Sequence, residues 1–193
     1  AQRFGIPADQ VEVLHGDTDK VQLGMGTYGS RSGPVGMSAV ALACDKVVVK
    51  ARQIAGHLLQ VPFSSVKFED GTFSSEQTEQ TLVFPEVAIA AYMAHSFPTT
   101  EIEPGLKEGC YFDPPNFSFP AGCYICEVEI DPDTGVTDIV DFVAVDDFGN
   151  IINPMVVDGQ VHGGIAQGIG QALLEQAIYD QGSGQLLTGS YMD

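Results

Sequence analysis

Beyond Lys107 the sequence contains no lysine or arginine, and this absence limits what the chain can fold into more than any other feature. Residues 108–193 carry 14 acidic side chains and no basic one, while residues 1–107 carry 12 acidic and all 8 basic, giving −14 and −4 of the total −18. A segment without cations cannot form its own ion pairs, so its self-repulsion must be offset by salt or by surfaces supplied from elsewhere. The chain is therefore expected to be a piece that continues beyond both ends. The opening residues, Ala1 to Pro7, read as the tail of a helix, and no terminating element precedes Asp193.

The remaining composition excludes several classes. With 44% hydrophobic residues and a mean hydropathy of +0.08, the chain can bury a core and lacks the signature of disorder. Eight basic residues spread along the chain cannot build a patch that displaces counterions from phosphates, so nucleic acid is not an expected partner. No run reaches the roughly 18 consecutive apolar residues that span a bilayer, and no charged-then-apolar leader opens the chain. No membrane span is expected, and the cytoplasm is the expected compartment, with export left to residues before Ala1. The four cysteines, Cys44, Cys110, Cys123 and Cys126, are too scattered for a disulfide framework. Cys123 and Cys126 have the C-x-x-C spacing, but in an alternating strand positions three apart face opposite sides. They are expected to be two small buried thiols, not a zinc or redox pair.

Residues 11–15 read as a short strand, followed by a loop over 16–32 with glycines at 24, 26 and 29. Ser32-Gly33-Pro34 then supplies a cap and an early proline for a long helix, whose Val40, Cys44, Val47, Ala51, Ile54 and Leu58 recur at three- and four-residue spacing. A hairpin is expected over 66–74 around Asp70-Gly71, a second helix over 85–95, and a long irregular connection over 96–119. Two alternating strands, 123–131 and 136–146, are joined by Pro132-Asp133-Thr134-Gly135, and a last helix is expected from about 158 to 179. Strands that pair locally beside long helices, without regular βαβ crossovers, make the fold class α+β and argue against a nucleotide-binding Rossmann unit.

Two segments could hold a ligand. The first, 24–32, combines Gly24, Gly26 and Gly29 with hydroxyls from Thr27, Ser30 and Ser32 and runs into a helix start, where free N–H groups favour an anion. It lacks the lysine and the spacing of a P-loop, and an ordinary capped loop is the competing reading. Arg31, one of only eight basic residues, sits at the cap. In the second segment, 158–171, Gln160, Gly164, Gln167 and Gln171 share one helical stripe beside an apolar stripe of Val161, Ile165, Ile169 and Leu173. Each glycine inside a helix costs about 1 kcal/mol relative to alanine, and positions 163, 164, 168 and 170 are all glycine. Either another backbone or a large polar cofactor must approach closely there; residue pattern alone leaves both open. His15, His57, His95 and His162 have no carboxylates at ligand spacing, so no metal site can be assembled locally. Asp146-Asp147 is read as capping the turn before Gly149. No nucleophilic triad or Cys-His pair is discernible.

These segments, together with Glu103-Pro104-Gly105-Leu106, Phe112-Asp113-Pro114-Pro115-Asn116 and the Asp131–Gly135 turn, closely resemble the molybdenum-binding large subunit of the xanthine dehydrogenase, aldehyde oxidase and aerobic carbon monoxide dehydrogenase family. The resemblance covers essentially all 193 residues and leans toward the carbon monoxide dehydrogenase-like branch. It implies that 1–193 is part of the molybdenum-cofactor-binding domain of an oxidoreductase. Such an enzyme oxidises a small substrate with water-derived oxygen, on molybdenum held by a pyranopterin, often as the cytosine dinucleotide. Electrons would leave by [2Fe–2S] clusters to FAD on partner subunits. Carried over by motif, Thr27, Tyr28, Gly29, Ser30, Arg31 and Ser32 match the loop that wraps the cofactor, and Gln160 matches a glutamine that hydrogen-bonds the pterin side. The family's glutamate base lies in a Gly-Glu context absent here, and Glu127, Glu129 and Glu175 do not match it, so no catalytic residue and no direct metal ligand is assigned. The competing reading is a non-catalytic scaffold descended from the same family.

Overall fold

The three- and four-residue apolar spacing after Pro34 produces α1 (Ser38–Leu59), a 22-residue helix entered through a wide π turn over Ser32–Met37. Its C-terminal half is the buried half: Ala51, Ile54, Ala55, Gly56 and Leu59 face inward, whereas Val40 and Leu42 near its start are exposed. The helix ends at Gln60, held at φ 57 because the Gln60 and Val61 amides turn back onto the carbonyls of His57 and Gly56. The computed structural model describes residues 1–21, 23–93 and 95–190, and the chain divides into two units, Ala1–Phe117 and Ser118–Asp193.

In the first unit, β1 (Lys67–Glu69), β2 (Thr72–Ser75) and β3 (Thr78–Val83) form an antiparallel sheet in that order, and α2 (Phe84–Met93) follows directly. Glu86 reaches back to accept from the Val83 amide at 2.9 Å, the side-chain half of a capping box. Val66, Phe73, Val87, Ala91, Phe97 and Ile102 close over α1 to make the core, and the rings of Phe68, Phe73 and Phe84 stack along it. Gly5, at φ 64, is required by contact: a side chain there would drive into the Gly71 backbone, which bends β1 into β2. By length and apolar content alone, Ser32–Leu59 could cross a bilayer, with a mean hydropathy of 1.3. Its C-terminal half packs into this core, the apolar window itself is not buried, and Lys46 and Lys50 are engaged by residues 108–109.

The second unit pairs β4 (Ala121–Ile130) with β5 (Thr137–Asp147) in an antiparallel hairpin, followed by α3 (Pro154–Ile169). Asp131 fixes the turn: its carboxylate accepts the amides of Asp133 (2.7 Å) and Thr134 (3.0 Å), and Gly135 takes φ 73. The two amide bonds, Asp133 first, hold the Asp131 carboxyl below its usual range. Glu127 stands directly opposite Asp141 and Glu129 opposite Asp138, so carboxylates face carboxylates across the ladder, an unfavourable pairing. Among the described residues of this unit no side chain is fully buried; all the core positions belong to the first unit.

The α+β class and the long helices match the sequence expectation, with four local differences. Residues 11–15 form no strand: no neighbouring strand pairs with them, and Val11, Val13 and Leu14 are exposed. The hairpin expected over 66–74 gains a third strand, β3, whose polar Glu79 and Gln80 hide it and whose Leu82 alone packs on the core. Cys123 and Cys126 are exposed, not buried, because no element of their own unit covers β4. The last helix starts at Pro154 with Asn153 as its cap (Val156 N–H to Oδ1, 3.3 Å), and gives way at Gly170 to a short π turn. Asn-Pro was itself the start signal. The second helix ends at Met93; its expected extension toward His95 passes through Ala94, which lies outside the described residues.

Phe73→Ala, which empties the centre of the core, is expected to cost about 3–5 kcal/mol in thermal or urea unfolding of the chain. Residues 118–193 expressed alone should show no cooperative melt in dilute buffer. At about 1 M salt, where the Debye length is about 3 Å, the repulsion is screened but the missing core is not, so the melt should stay broad; a sharp transition in dilute buffer would refute this. For Asp131 the sign follows from its lowered folded value: its contribution is complete above the unfolded carboxyl range and is lost as pH falls through the folded value. The stability gap between wild type and Asp131→Asn should therefore shrink as pH falls below about 4, the ordinary aspartate value, in thermal melts.

Candidate functional site

The loop before α1 is shaped by two successive left-handed residues. Gly29 (φ 58) and Ser30 (φ 51) occupy the middle of a tight turn closed by the Arg31 amide on the Tyr28 carbonyl at 3.4 Å, with the positive φ values of a type I′ turn. Glycine holds this conformation freely, whereas serine does so at a cost of roughly 1–2 kcal/mol. A serine kept where glycine would be easier points to a use for its hydroxyl. Arg31 then returns to φ −89, ψ 0, so amides of opposite handedness succeed one another, the arrangement that makes an anion-binding concavity.

Side chains frame this turn. The hydroxyls of Thr27 and Ser32 bond one another at 2.9 Å across it, and the side chain of Tyr28 is exposed. Arg31 is half-buried and lies over the ring of Phe117, 5.8 Å from the centroid. Among the described residues no carboxylate pairs with Arg31. Gly26 (φ 75), Gly33 and Gly36 have nothing within 4 Å of where a side chain would begin, so the backbone is open to a ligand. The six positions expected from sequence, Thr27 to Ser32, are thus brought together in one turn and helix entrance.

Gln160 lies in the other unit, on α3. The half-buried positions of that helix, Val157, Val161, Ile165 and Ile169, recur every four residues and form its inner stripe, while Gln160, Gly164 and Gln167 stay exposed on another face. Gly159, Gly163, Gly164 and Gly168 are open for at least 4 Å. Among the described residues of the unit nothing packs against these four glycines, so the internal close-packing reading finds no contact there to support it. An exposed strip of amides beside bare backbone suits a polar, heteroatom-rich surface.

Other groups with chemistry to offer are spent on structure. Tyr124 donates its hydroxyl to Asp146, whose carboxylate lies across Gly122; this bond raises the phenol above its ordinary range. Asp147 accepts the Gly149 amide at 2.9 Å, the expected turn cap. A surface depression of about 450 Å³ lies by Arg52, Lys67 and Glu76, far along the chain from the loop. Its charges are satisfied locally, Lys67 by Glu76 at 2.5 Å and Arg52 by the Val66 carbonyl at 2.8 Å. Among the described residues no group of three His, Cys, Asp or Glu side chains could hold a metal ion. The contact that sequence reasoning missed is Phe117 on Arg31; residues so distant in sequence carry no local periodicity that could reveal it.

The sequence profile of the molybdopterin cofactor-binding domain matches residues 1–193. The chain is 42% identical over its full length to the carbon monoxide dehydrogenase large chain of Hydrogenophaga pseudoflava, and 39% identical to that of Afipia carboxidovorans, covering 24% of each. A solved Cu,Mo-CO dehydrogenase in its carbon monoxide-reduced state superposes with a TM-score of 0.79 at 40% identity, over 100% of this chain and 24% of that one. The chain thus spans about a quarter of the length of the relatives it matches.

If the turn keeps serine for its hydroxyl, Ser30→Gly should leave the ligand-free chain as stable as wild type or up to about 1 kcal/mol more stable. Ser30→Val, which forces a β-branched residue into positive φ, should destabilise it by about 1–3 kcal/mol. Thermal unfolding of the two variants measures both; a Ser30→Gly clearly less stable than wild type would mean that the hydroxyl serves the fold.

Proposed function

Because the chain belongs to the molybdopterin cofactor-binding domain family, we propose that it is a segment of the large subunit of a molybdenum hydroxylase, an oxidoreductase of the carbon monoxide dehydrogenase-like branch. The observation that carries this reading is the Gly29-Ser30 turn, a strained serine flanked by hydroxyls, open glycine backbone and the Arg31 cation. That donor set fits an anionic, phosphate-bearing pterin: N–H and O–H groups and one cation, with no carboxylate pairing Arg31 among the described residues. The bound molybdenum–pterin group supplies the redox chemistry. In this reading Thr27, Ser30 and Ser32 donate hydrogen bonds, Tyr28 and Gly29 shape the backbone approach, and Arg31 neutralises the cofactor's charge. Gln160 adds an amide hydrogen bond toward the pterin, its side chain held out by the inner stripe of α3. The chain positions the cofactor; the Gly-Glu context in which the family carries its glutamate base does not occur in these residues.

Further parts of the reading follow from the family resemblance. The cofactor is the cytosine dinucleotide form, an iron–sulfur subunit and an FAD subunit complete the assembly, the substrate is a small molecule, and the compartment is the cytoplasm. The two carbon monoxide dehydrogenase large chains it resembles support the carbon monoxide branch; oxidation of an aldehyde or N-heterocycle is the competing outcome for the substrate.

Ser30→Ala and Gln160→Ala, made in the intact large subunit, should each lower retained molybdenum and pterin about tenfold, the effect of removing one hydrogen bond to a charged or strongly polar group. Elemental and pterin analysis reads the loss. Cofactor content unchanged in both variants would favour the scaffold reading, and a wild-type protein devoid of molybdenum would sink the proposal outright.

A further inference from the structure

Residues 108–117 contain no regular secondary structure, yet they are fastened to α1 and its entrance at three successive points. Lys50 pairs with Glu108 at 3.3 Å, with side chains only 12% and 25% exposed. Lys46 donates to the Gly109 carbonyl at 2.8 Å. Arg31 lies over Phe117. Along the chain the contacts run 108, 109, 117 while their partners run 50, 46, 31, so the strand of chain descends antiparallel to the helix, from its core end toward the turn at Gly29-Ser30. It forms a strap whose last residue arrives at the cofactor turn.

Phe117 is 71% exposed, so burial in the core does not account for an aromatic ring at this position. The guanidinium carbon of Arg31 lies over this ring, 5.8 Å from its centroid. An aromatic ring attracts the cation but has no lone-pair acceptor, so the contact restrains the guanidinium and leaves its N–H donors for an anion. Arg31 has a long, rotamer-rich side chain that would lose orientational freedom on binding an anion; a ring that already restricts it lowers that loss. We propose that Phe117 is a positioning residue that holds Arg31 in its anion-binding orientation at the cofactor turn, with the 108–117 strap setting its place. This rests on the cofactor reading above and adds to it a residue outside the loop itself.

The test is a double-substitution cycle in the intact holoenzyme: Phe117→Leu, Arg31→Gln, the pair together, Phe117→Trp, and Tyr111→Leu as a control elsewhere on the strap. The readout is the rate at which molybdenum and pterin are lost in mild denaturant, with thermal melts to confirm folding. Phe117→Leu is expected to speed the loss about two- to fivefold, the scale of an exposed cation–aromatic contact. Phe117→Trp should restore the wild-type rate, Tyr111→Leu should not change it, and Phe117→Leu should add nothing once Arg31 is Gln. An equal effect of Phe117→Leu with or without Arg31 would make Phe117 merely structural, and no effect in the wild-type background would overturn the inference while leaving the cofactor reading intact. A wild-type protein without molybdenum removes the cofactor reading and this inference with it.

Discussion

Helix α1 is the element on which the rest depends, because it is used twice. Its C-terminal half, through Ala51, Ile54, Ala55 and Leu59, provides one wall of the core that β2 and α2 close. Its N-terminal half is at most half-buried, and Lys46 there and Lys50 near the middle of the helix hold the 108–109 strap while the π turn presents the loop. A helix anchored at one end in a close-packed core is a stiff support at the other. Ser30 can therefore be kept at φ 51: a strained residue persists only where its surroundings fix it from both sides. The turn closed by the Arg31 amide, the Thr27–Ser32 hydroxyl bond and the rigid helix entrance provide that restraint.

Charge explains the contrast between the two units. The first spends its cations on specific tasks: Lys50 and Lys67 in ion pairs, Lys46 and Arg52 on carbonyls, and Arg31 over an aromatic ring. The second has none to spend, sets carboxylates opposite one another in its hairpin, and answers with amides, as at Asp131 and Asp147. Backbone amides neutralise a carboxylate only locally, so they fix turns without holding a hairpin against its own repulsion. The same unit buries no side chain fully among its described residues.

Much of this was legible from residues alone. Three- and four-residue spacing located α1, Pro-Asp-Thr-Gly located the hairpin turn, and Gly29 with its flanking hydroxyls located the loop, because each is a local pattern with a local cause. The misses share one origin. Residues 11–15 alternate like a strand but lack a strand to pair with; β3 looks too polar to be one but is given a partner by β2; and Cys123 and Cys126 look like core residues in a hairpin that nothing in its own unit covers. Whether a strand pairs or a face is buried depends on a second segment, and pattern within the first cannot supply it.

What the sequence determined by itself was therefore the chemistry on offer: hydroxyls and one scarce cation before a helix, amides and bare glycines along another, and an acidic stretch without counter-charges. What only the tertiary structure decided was how those groups are held. It held Ser30 beside Gly29 in the left-handed turn, brought Phe117 onto Arg31 by way of a strap tied along α1, and turned Gln160 and Gln167 of α3 outward while Val157, Val161, Ile165 and Ile169 turned in. The reason is physical: side-chain identity is local and written residue by residue, whereas orientation is imposed by contacts between segments, in the first unit those that meet at the core of Ile54 and Phe73.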